Sequence, residues 1–204
     1  MSRFGYRSEA QANLILGKMK KDSMPVDAII FDLFWFGDSI QHTLGNFSWK
    51  NKTAWPNPVK MIESFSKKHV KTILIMEPFV VNTSDCFDSS RRYHSVDSTN
   101  HPYLIKDFYF GEAGLIDIFR KDSREWFFSK YKQQIKNGVS GWWGDLGEPE
   151  KHPSSLYHNL QDMGFTRKFS ADEVHNLYGH TWSKMLFEQY RKNYPDKRLF
   201  HLNR

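Results

Sequence analysis

The chain has 204 residues, of which 39% are hydrophobic and 25% charged, as is typical of a globular domain. The formal net charge is +6, but its lysines and arginines are spread among acidic residues in helical segments, and no RNP, KH or zinc-finger pattern occurs, so we expect no nucleic-acid partner. No apolar run approaches the roughly 20 residues of a membrane helix, and the N-terminus lacks a signal-peptide pattern, so no membrane partner is expected either.

Strand and helix patterns alternate along the chain. In chain order they predict a helix at 8–21, a strand at 26–35, a helix at 57–69, a strand at 70–78, a helix at 122–137, a strand at 138–145, a helix at 170–194 and a strand at 198–204. The first and last helices open with capping-box patterns, Ser8-x-x-Gln11 and Ser170-x-x-Glu173. Repeated units of this kind predict an α/β fold with a parallel sheet.

Each predicted strand ends in a charged residue on its apolar face. Residues two apart share a face of a strand, which groups Ile30 with Asp32 and Phe34, Ile73 with Ile75 and Glu77, Trp143 with Asp145, and Phe200 with Leu202 and Arg204. Sites of parallel α/β proteins lie at this C-terminal rim. Because no glycine-rich phosphate loop is present, we favour a (β/α)8 barrel over an open dinucleotide-binding sheet. Four strands are about the first half of such a TIM barrel, and a half barrel leaves its edges open, so we expect a part of a longer protein.

Aromatic residues make up 16% of the chain, which suits either a ring-lined pocket or a core rich in phenylalanine. Cys86 is the single cysteine, so no disulfide forms within the chain. The compartment stays open, with a periplasmic or extracellular location favoured over a cytoplasmic one. His175 and His180 lie five apart on a predicted helix, which is no metal-binding spacing, and we expect neither a metal nor a cofactor.

The segment "GWWGDLGEPE" at 141–150 places carboxylates beside tryptophans. Asp145 lies between Gly144 and Gly147, and Trp143 on the same face offers an apolar wall for a sugar ring. A carboxylate there suits glycosyl transfer, because it stabilises an oxocarbenium-like transition state and can form a covalent glycosyl-enzyme. A second interpretation stays open, in which Asp145 only caps a loop and Trp143 belongs to the core.

A retaining glycosidase also needs a second carboxyl group, about 5–5.5 Å from the first, as its acid/base. Glu148 and Glu150 follow Asp145 too closely to approach a sugar from the opposite side. We expect them to support the loop, orient Asp145 or contact substrate hydroxyls. The acid/base is expected beyond Arg204.

Several of these segments resemble glycoside hydrolase family 31. "GVSGWWGDLGEPE" is similar to the family's nucleophile strand, whose usual form is Trp-x-Asp-x-Asn-Glu. "IIFDLFWFGD", "KTILIMEPFV" and "RLFHLNR" resemble its second, third and fifth barrel strands, and "GNFSWKNKTAWPNPVKMI" its segment before the second helix. The resemblance covers nearly the whole chain in the right order. It implies that residues 1–204 are the N-terminal part of a (β/α)8 catalytic domain, without the remaining barrel and the flanking β domains.

The resemblance also implies roles for individual residues. Asp145 would be the catalytic nucleophile, Asp32 would bind hydroxyls of the −1 sugar, Arg204 would contact that sugar and keep the nucleophile ionised, and Trp143 would line the subsite. Glu148 matches the family's glutamate after the nucleophile, whereas Gly147 stands where asparagine is usual. The strand alternation adds two more candidate substrate-binding residues, Phe34 and Glu77.

The function predicted is that of a retaining glycosidase or transglucosylase acting on α-glucosides such as α-1,4-glucans. The stretch 79–118 is a candidate for the acceptor subsites, or a structural insertion. The alternative is a non-catalytic carbohydrate-binding barrel fragment. In both cases the expected partner is an oligosaccharide, and the oligomeric state is not predicted.

Overall fold

The computed structural model describes residues 3–204. A four-stranded parallel sheet forms its centre, with strands in the spatial order β1 (Ala28–Phe31), β2 (Lys71–Met76), β5 (Gly141–Gly144) and β8 (His201–Asn203). Leu74 of β2 pairs with Phe31 on one side and with Trp142 on the other. This parallel order, with helices in the connections, confirms the predicted partial TIM barrel.

The helices lie close to their predicted positions: α1 (Glu9–Lys21), α2 (Pro58–Lys67), α4 (Lys121–Lys136) and α5 (Ala171–Asn193), with a short α3 (Phe87–Ser90) that was not predicted. The capping box at Ser170 is complete. At Ser8 only half of the box forms, because the side chain accepts from the Gln11 N–H at 3.2 Å while the Gln11 side chain accepts from Arg7 N–H instead. Among residues 3–204, no helix has the length and apolarity to cross a membrane.

Two small antiparallel pairs stand outside the central sheet and were not predicted. They join β3 (Phe79–Val81) to β4 (Ala113–Leu115), and β6 (Tyr157–Asn159) to β7 (Lys168–Ser170). Strands of three residues are too short for a periodic pattern to reveal them. Both pairs lie in connections that follow the C-terminal ends of central strands, so they add to the rim.

The first strand is shorter than predicted, ending at Phe31 rather than at residue 35. The Asp32 side chain accepts from the Leu33 N–H at 2.8 Å, and Leu33–Trp35 form a 3₁₀ turn. Alternation along the strand therefore stops at Asp32. Phe34 turns away from the inner face and lies 4.6 Å from the Arg7 guanidinium, 6% exposed.

The core between the sheet and its helices is aromatic. Trp142 is fully buried on the outer face of β5, where its indole N–H donates to the Tyr190 hydroxyl at 2.6 Å and its ring meets Tyr131 edge-on at 4.7 Å. The largest fully buried side chains are all rings, namely Trp35, Trp55, Trp142, Trp182, Tyr131, Tyr178, Phe31, Phe36, Phe47, Phe65, Phe79 and Phe119. The aromatic surplus of the sequence thus goes mainly into the core.

Acid should destabilise the fold through buried His94. The residue is 1% exposed, its Nε2 lies 2.8 Å from the Ser90 hydroxyl, and burial lowers its pKa to about 3. Because the unfolded chain binds this proton near pH 6.5 and the folded chain does not, stability falls as the pH drops from about 6.5 toward 3, by about 3 kcal/mol at pH 4 from His94 alone. Urea unfolding at pH 7 and pH 4 measures the difference. In a His94→Gln chain the loss between the two pH values should be smaller; an equal loss would contradict this account.

Candidate active site

A cavity of about 560 Å³ opens at the C-terminal ends of the central strands. The four strand-end charges that the sequence predicted meet there. The lining residues are Arg3, Phe4, Asp32, Leu33, Glu77, Tyr109, Phe110, Trp143, Asp145, Leu146, Glu150 and Arg204. A second hollow, of about 650 Å³, lies toward the N-terminal ends of the strands, where Ile30, Ile73 and Phe200 are among its lining residues. The rim cavity is the candidate site because charges and aromatic rings converge in it.

Asp145 and Arg204 form an ion pair in the wall of the cavity. Arg204 Nη1 lies 3.2 Å from Asp145 Oδ1 and 3.5 Å from Glu150 Oε2. The backbones are fixed by sheet-like hydrogen bonds, from Asp145 N–H to Met76 O at 3.1 Å and from Arg204 N–H to Gly144 O at 3.0 Å. The Arg204 side chain is 58% exposed and that of Asp145 15%, so the pair adds little stability. It places a carboxylate and a guanidinium side by side in the cavity.

Asp32 lies on the neighbouring wall and is 3% exposed. Its two oxygens accept from the backbone N–H groups of Phe4 and Leu33, each at 2.8 Å. Burial raises its pKa, the two hydrogen bonds oppose that change, and the charge of Asp145 adds to it. A carboxylate with both oxygens held in this way is a rigid acceptor for ligand hydroxyls.

Glu77 follows β2 and is the most deeply buried acid of the cavity, at 1% exposure. Its Oε2 has no hydrogen-bond partner. Burial raises the pKa of Glu77 well above its ordinary value, and the charges of Asp145 and Asp32 raise it further.

Two of the predicted substrate-binding residues do not reach the cavity. Phe34 leaves the inner face with the 3₁₀ turn after β1. Glu148 lies on the opposite side of the β5 loop (residues 145–150), in a shallow hollow with His175 and Asn176. The chain reverses between Asp145 and Glu150, so these two residues face the cavity while Gly147 and Glu148 face α5.

The structure adds lining residues that the strand pattern missed. Glu150 joins the site by pairing with Arg204, and the Tyr109 hydroxyl donates to Glu150 Oε1 at 3.4 Å. Tyr109 is also held by Lys151, whose Nζ lies 5.2 Å from its ring centroid and 2.7 Å from Asp107 Oδ2. Tyr109 and Phe110 belong to the stretch 79–118, which the sequence indicated only as a candidate for acceptor subsites. The one sequence signal that could have identified them as site residues is that two aromatic side chains are adjacent in a long irregular segment.

Close packing explains the glycine at 147. A Cβ atom there would lie 2.8 Å from Trp182 Cζ3, and a Cβ at Gly179 would lie 2.8 Å from the Gly147 carbonyl oxygen. The indole of Trp182 occupies the room that an asparagine side chain would need. The β5 loop therefore packs directly on the backbone and on one ring of α5.

A series of hydrogen-bonded histidines anchors the far end of the same loop. His152 Nδ1 lies 3.1 Å from His175 Nδ1, His152 Nε2 lies 2.7 Å from His158 Nε2, and His158 Nδ1 lies 2.9 Å from Asp117 Oδ1. Burial and the two other histidines lower the pKa of His152 to about 3, so it is a neutral link in this series. The five-residue spacing of His175 and His180 gave no sign of it. Within residues 3–204, no group of three or more His, Cys, Asp or Glu side chains is arranged to hold a metal ion.

Comparison with known proteins gives one consistent result. The sequence profile of the glycosyl hydrolases family 31 TIM-barrel domain matches residues 1–204. Among curated proteins, glucosidase 2 subunit alpha of Schizosaccharomyces pombe is 26% identical to this chain, over 87% of this chain's length. An alpha-glucosidase of Saccharolobus solfataricus is 25% identical, over 96% of this chain's length. The chain spans 19% and 28% of the lengths of these relatives.

Solved structures agree with the sequence comparison. A GH31 dextranase of Flavobacterium johnsoniae, complexed with glucose, superposes with a TM-score of 0.83 at 27% identity, covering 98% of this chain and 24% of that one. A glucosidase II alpha subunit superposes with a TM-score of 0.80 at 22% identity over 99% of this chain and 22% of the other, which supports the fold.

Proposed function

The chain belongs to glycoside hydrolase family 31, and from that premise we propose that its rim cavity is the donor subsite of a retaining enzyme acting on α-glucosides. The relatives named alpha-glucosidase and glucosidase support an α-glucoside as the substrate. The observation that carries the proposal is the Asp145–Arg204 pair facing a cavity with a tryptophan wall.

Asp145 is the proposed nucleophile. Its carboxylate attacks the anomeric carbon while the bond from that carbon to the leaving oxygen breaks, and the product is a covalent glycosyl-enzyme. Arg204 orients the Asp145 carboxylate through their ion pair. Gly144 and Leu146 flank Asp145 without placing a bulky polar group over it, and Leu146 closes one side of the cavity.

The remaining walls bind and orient the sugar. Asp32 accepts hydrogen bonds from sugar hydroxyls, and half-buried Trp143 offers its ring to the C–H face. Glu77 and Glu150 line the same cavity and complete its polar side. Glu148 and Phe34 lie outside the cavity, which supports roles for them other than direct contact with the sugar.

The leaving oxygen needs a proton from a general acid. We propose that this acid belongs to a part of the family barrel outside residues 1–204. On this proposal the chain alone releases no glucose from maltooligosaccharides. Release of glucose would contradict it and would point to Glu77 or Glu150 as the acid.

A 5-fluoro-α-glucosyl fluoride tests the nucleophile in the chain itself. Fluoride leaves without help from a general acid, and the ring fluorine slows hydrolysis of the intermediate, so the glycosyl-enzyme accumulates. Peptide mass spectrometry should find the label on Asp145. A chain that binds maltooligosaccharides but takes up no label would instead be the non-catalytic carbohydrate-binding alternative.

Transfer to a second sugar is a further candidate activity, because Tyr109 stands 51% exposed at the cavity wall, where an acceptor sugar could stack on it. Hydrolysis and transfer share the glycosyl-enzyme and differ in whether water or a sugar hydroxyl attacks it. The products from maltooligosaccharides, with the general acid supplied by a complete family barrel, separate the two: glucose alone, or longer chains as well.

A further inference from the structure

Glu77 and Asp145 are neighbours across a parallel strand pair. Met76 of β2 pairs with Gly144 of β5, and each acid follows directly after its member of that pair. The hydrogen bond from Asp145 N–H to Met76 O holds the two strand ends together. Both acids line the cavity.

The two acids differ sharply in their surroundings. Asp145 has Arg204 at 3.2 Å. Glu77 is fully buried, has no ion-pair partner among residues 3–204, and leaves Oε2 without a hydrogen bond. An ionised carboxylate in such a place would lose its hydration without compensation, whereas a neutral carboxylic acid loses much less.

The charge balance of the cavity points the same way. Four acids line it (Asp32, Glu77, Asp145, Glu150), against two cations, Arg3 and Arg204. The groups that act on Glu77 from the surrounding elements are Asp145 and Glu150 of the β5 loop, Asp32 after β1, and Arg204 after β8. Three are acids, so ionising Glu77 would add a fourth negative charge among them. Neighbouring carboxyls of this kind ionise one at a time, and the buried one keeps its proton.

We propose that Glu77 is a positioning residue that works as a neutral carboxylic acid: it keeps a proton beside Asp145, so that Asp145 is the carboxylate and Glu77 the uncharged member of the pair. This role rests on the proposed function of Asp145. A second anion at position 77 would compete for Arg204 and repel the nucleophile from its working position. Because protonated Glu77 carries no charge, it does not compete with Asp145 for the ion pair with Arg204.

Carbon-13 NMR of the side-chain carboxyls tests the proton directly. The chain is labelled at glutamate, and the Glu77 signal is assigned by its loss in Glu77→Gln. At pH 6 the Glu77 signal should keep the position of a protonated acid while exposed glutamates such as Glu63 show the carboxylate position. In Asp145→Asn the titration midpoint of Glu77 should move to lower pH, because a neighbouring charge is gone. Titration of Glu77 together with the exposed glutamates would overturn the proposal.

The labelling rate with the 5-fluoro probe tests the role. Ionisation of Glu77 should lower the wild-type rate at alkaline pH. Glutamine is uncharged and cannot ionise, so Glu77→Gln should lower the rate by less than about threefold and abolish this alkaline decline. Methionine has a similar size and is also uncharged, so Glu77→Met should abolish the decline as well and lower the rate by less than about tenfold. Glu63→Gln, on the exposed face of α2, is the matched control and should behave as wild type.

The two experiments fail in different ways. If wild type takes up no label, the proposed function fails, while NMR still decides the state of Glu77. If Glu77→Gln and Glu77→Met both lose the rate more than about tenfold and the alkaline decline persists in Glu77→Gln, position 77 matters only for packing, and the positioning role is wrong. Circular dichroism shows whether the two variants fold. If either does not, the titration midpoint of Glu77 in Asp145→Asn decides whether the two acids are coupled. An unchanged midpoint would overturn the proposal.

Discussion

Replacing Asp145 by asparagine is expected to lower the rate of glycosyl-enzyme formation by about 10⁴-fold or more, because the amide is a poor nucleophile and carries no charge to stabilise the oxocarbenium-like transition state. The readout is the rate of label uptake from the 5-fluoro-α-glucosyl fluoride. Folding should be little affected, since asparagine has nearly the same volume and the Arg204 side chain of the ion pair is 58% exposed. Asp196→Asn is a suitable control, as Asp196 is exposed in the turn after α5.

A shorter side chain separates a chemical role for Asp145 from a structural one. In Asp145→Ala the space of the carboxylate is free, and azide ions should occupy it and attack α-glucosyl fluoride in place of the nucleophile. The expected product is β-glucosyl azide, formed with inversion because one displacement replaces two. If azide gives no product although the variant folds and binds maltooligosaccharides, Asp145 is not the attacking group.

Truncating Trp142 to alanine should cost about 3–5 kcal/mol of unfolding free energy, among the largest effects expected of a single substitution in this chain. The indole is fully buried against Tyr131, and its N–H is bonded to the Tyr190 hydroxyl. The variant loses the buried ring and leaves that hydroxyl with one partner fewer. Urea unfolding followed by circular dichroism measures the change.

Trp143 is the matched comparison, since it is the next residue on the same strand but points to the cavity and is only half-buried. Trp143→Ala should cost clearly less stability and should weaken sugar binding instead. Equal losses of stability from the two substitutions would contradict the division of β5 into a core face and a site face.

The periodicity of the sequence was sufficient to predict the sheet, its parallel order and the convergence of Asp32, Glu77, Asp145 and Arg204. It succeeded because side-chain alternation along a strand is a local property. The prediction failed for Phe34, because the strand ends where Leu33 N–H donates a hydrogen bond to the Asp32 carboxylate. The periodicity of a sequence does not show where a side chain takes the place of the neighbouring strand as hydrogen-bond partner.

Loop geometry accounts for the other differences. Glu148 and Glu150 are two residues apart and were expected to act alike, yet one faces α5 and the other pairs with Arg204. Tyr109 reaches the cavity through contacts with Lys151 and with Glu150, which is 41 positions away in sequence. The histidine series joins β6, α5 and the end of the β5 loop in the same long-range manner. Such contacts depend on tertiary packing, which no local pattern records.

The packing of Gly147 on α5 limits how this region can diverge. Because the Gly147 carbonyl lies against Gly179 and the Trp182 ring fills the space beside Gly147, a side chain at 147 requires a smaller residue at 182, whereas a side chain at 179 requires α5 to lie farther from the loop backbone. Positions 147 and 182 should therefore change in concert among relatives. A relative with asparagine at 147 should carry a smaller residue than tryptophan at 182, which makes this pair a marker for sorting family members by how the loop after β5 is supported.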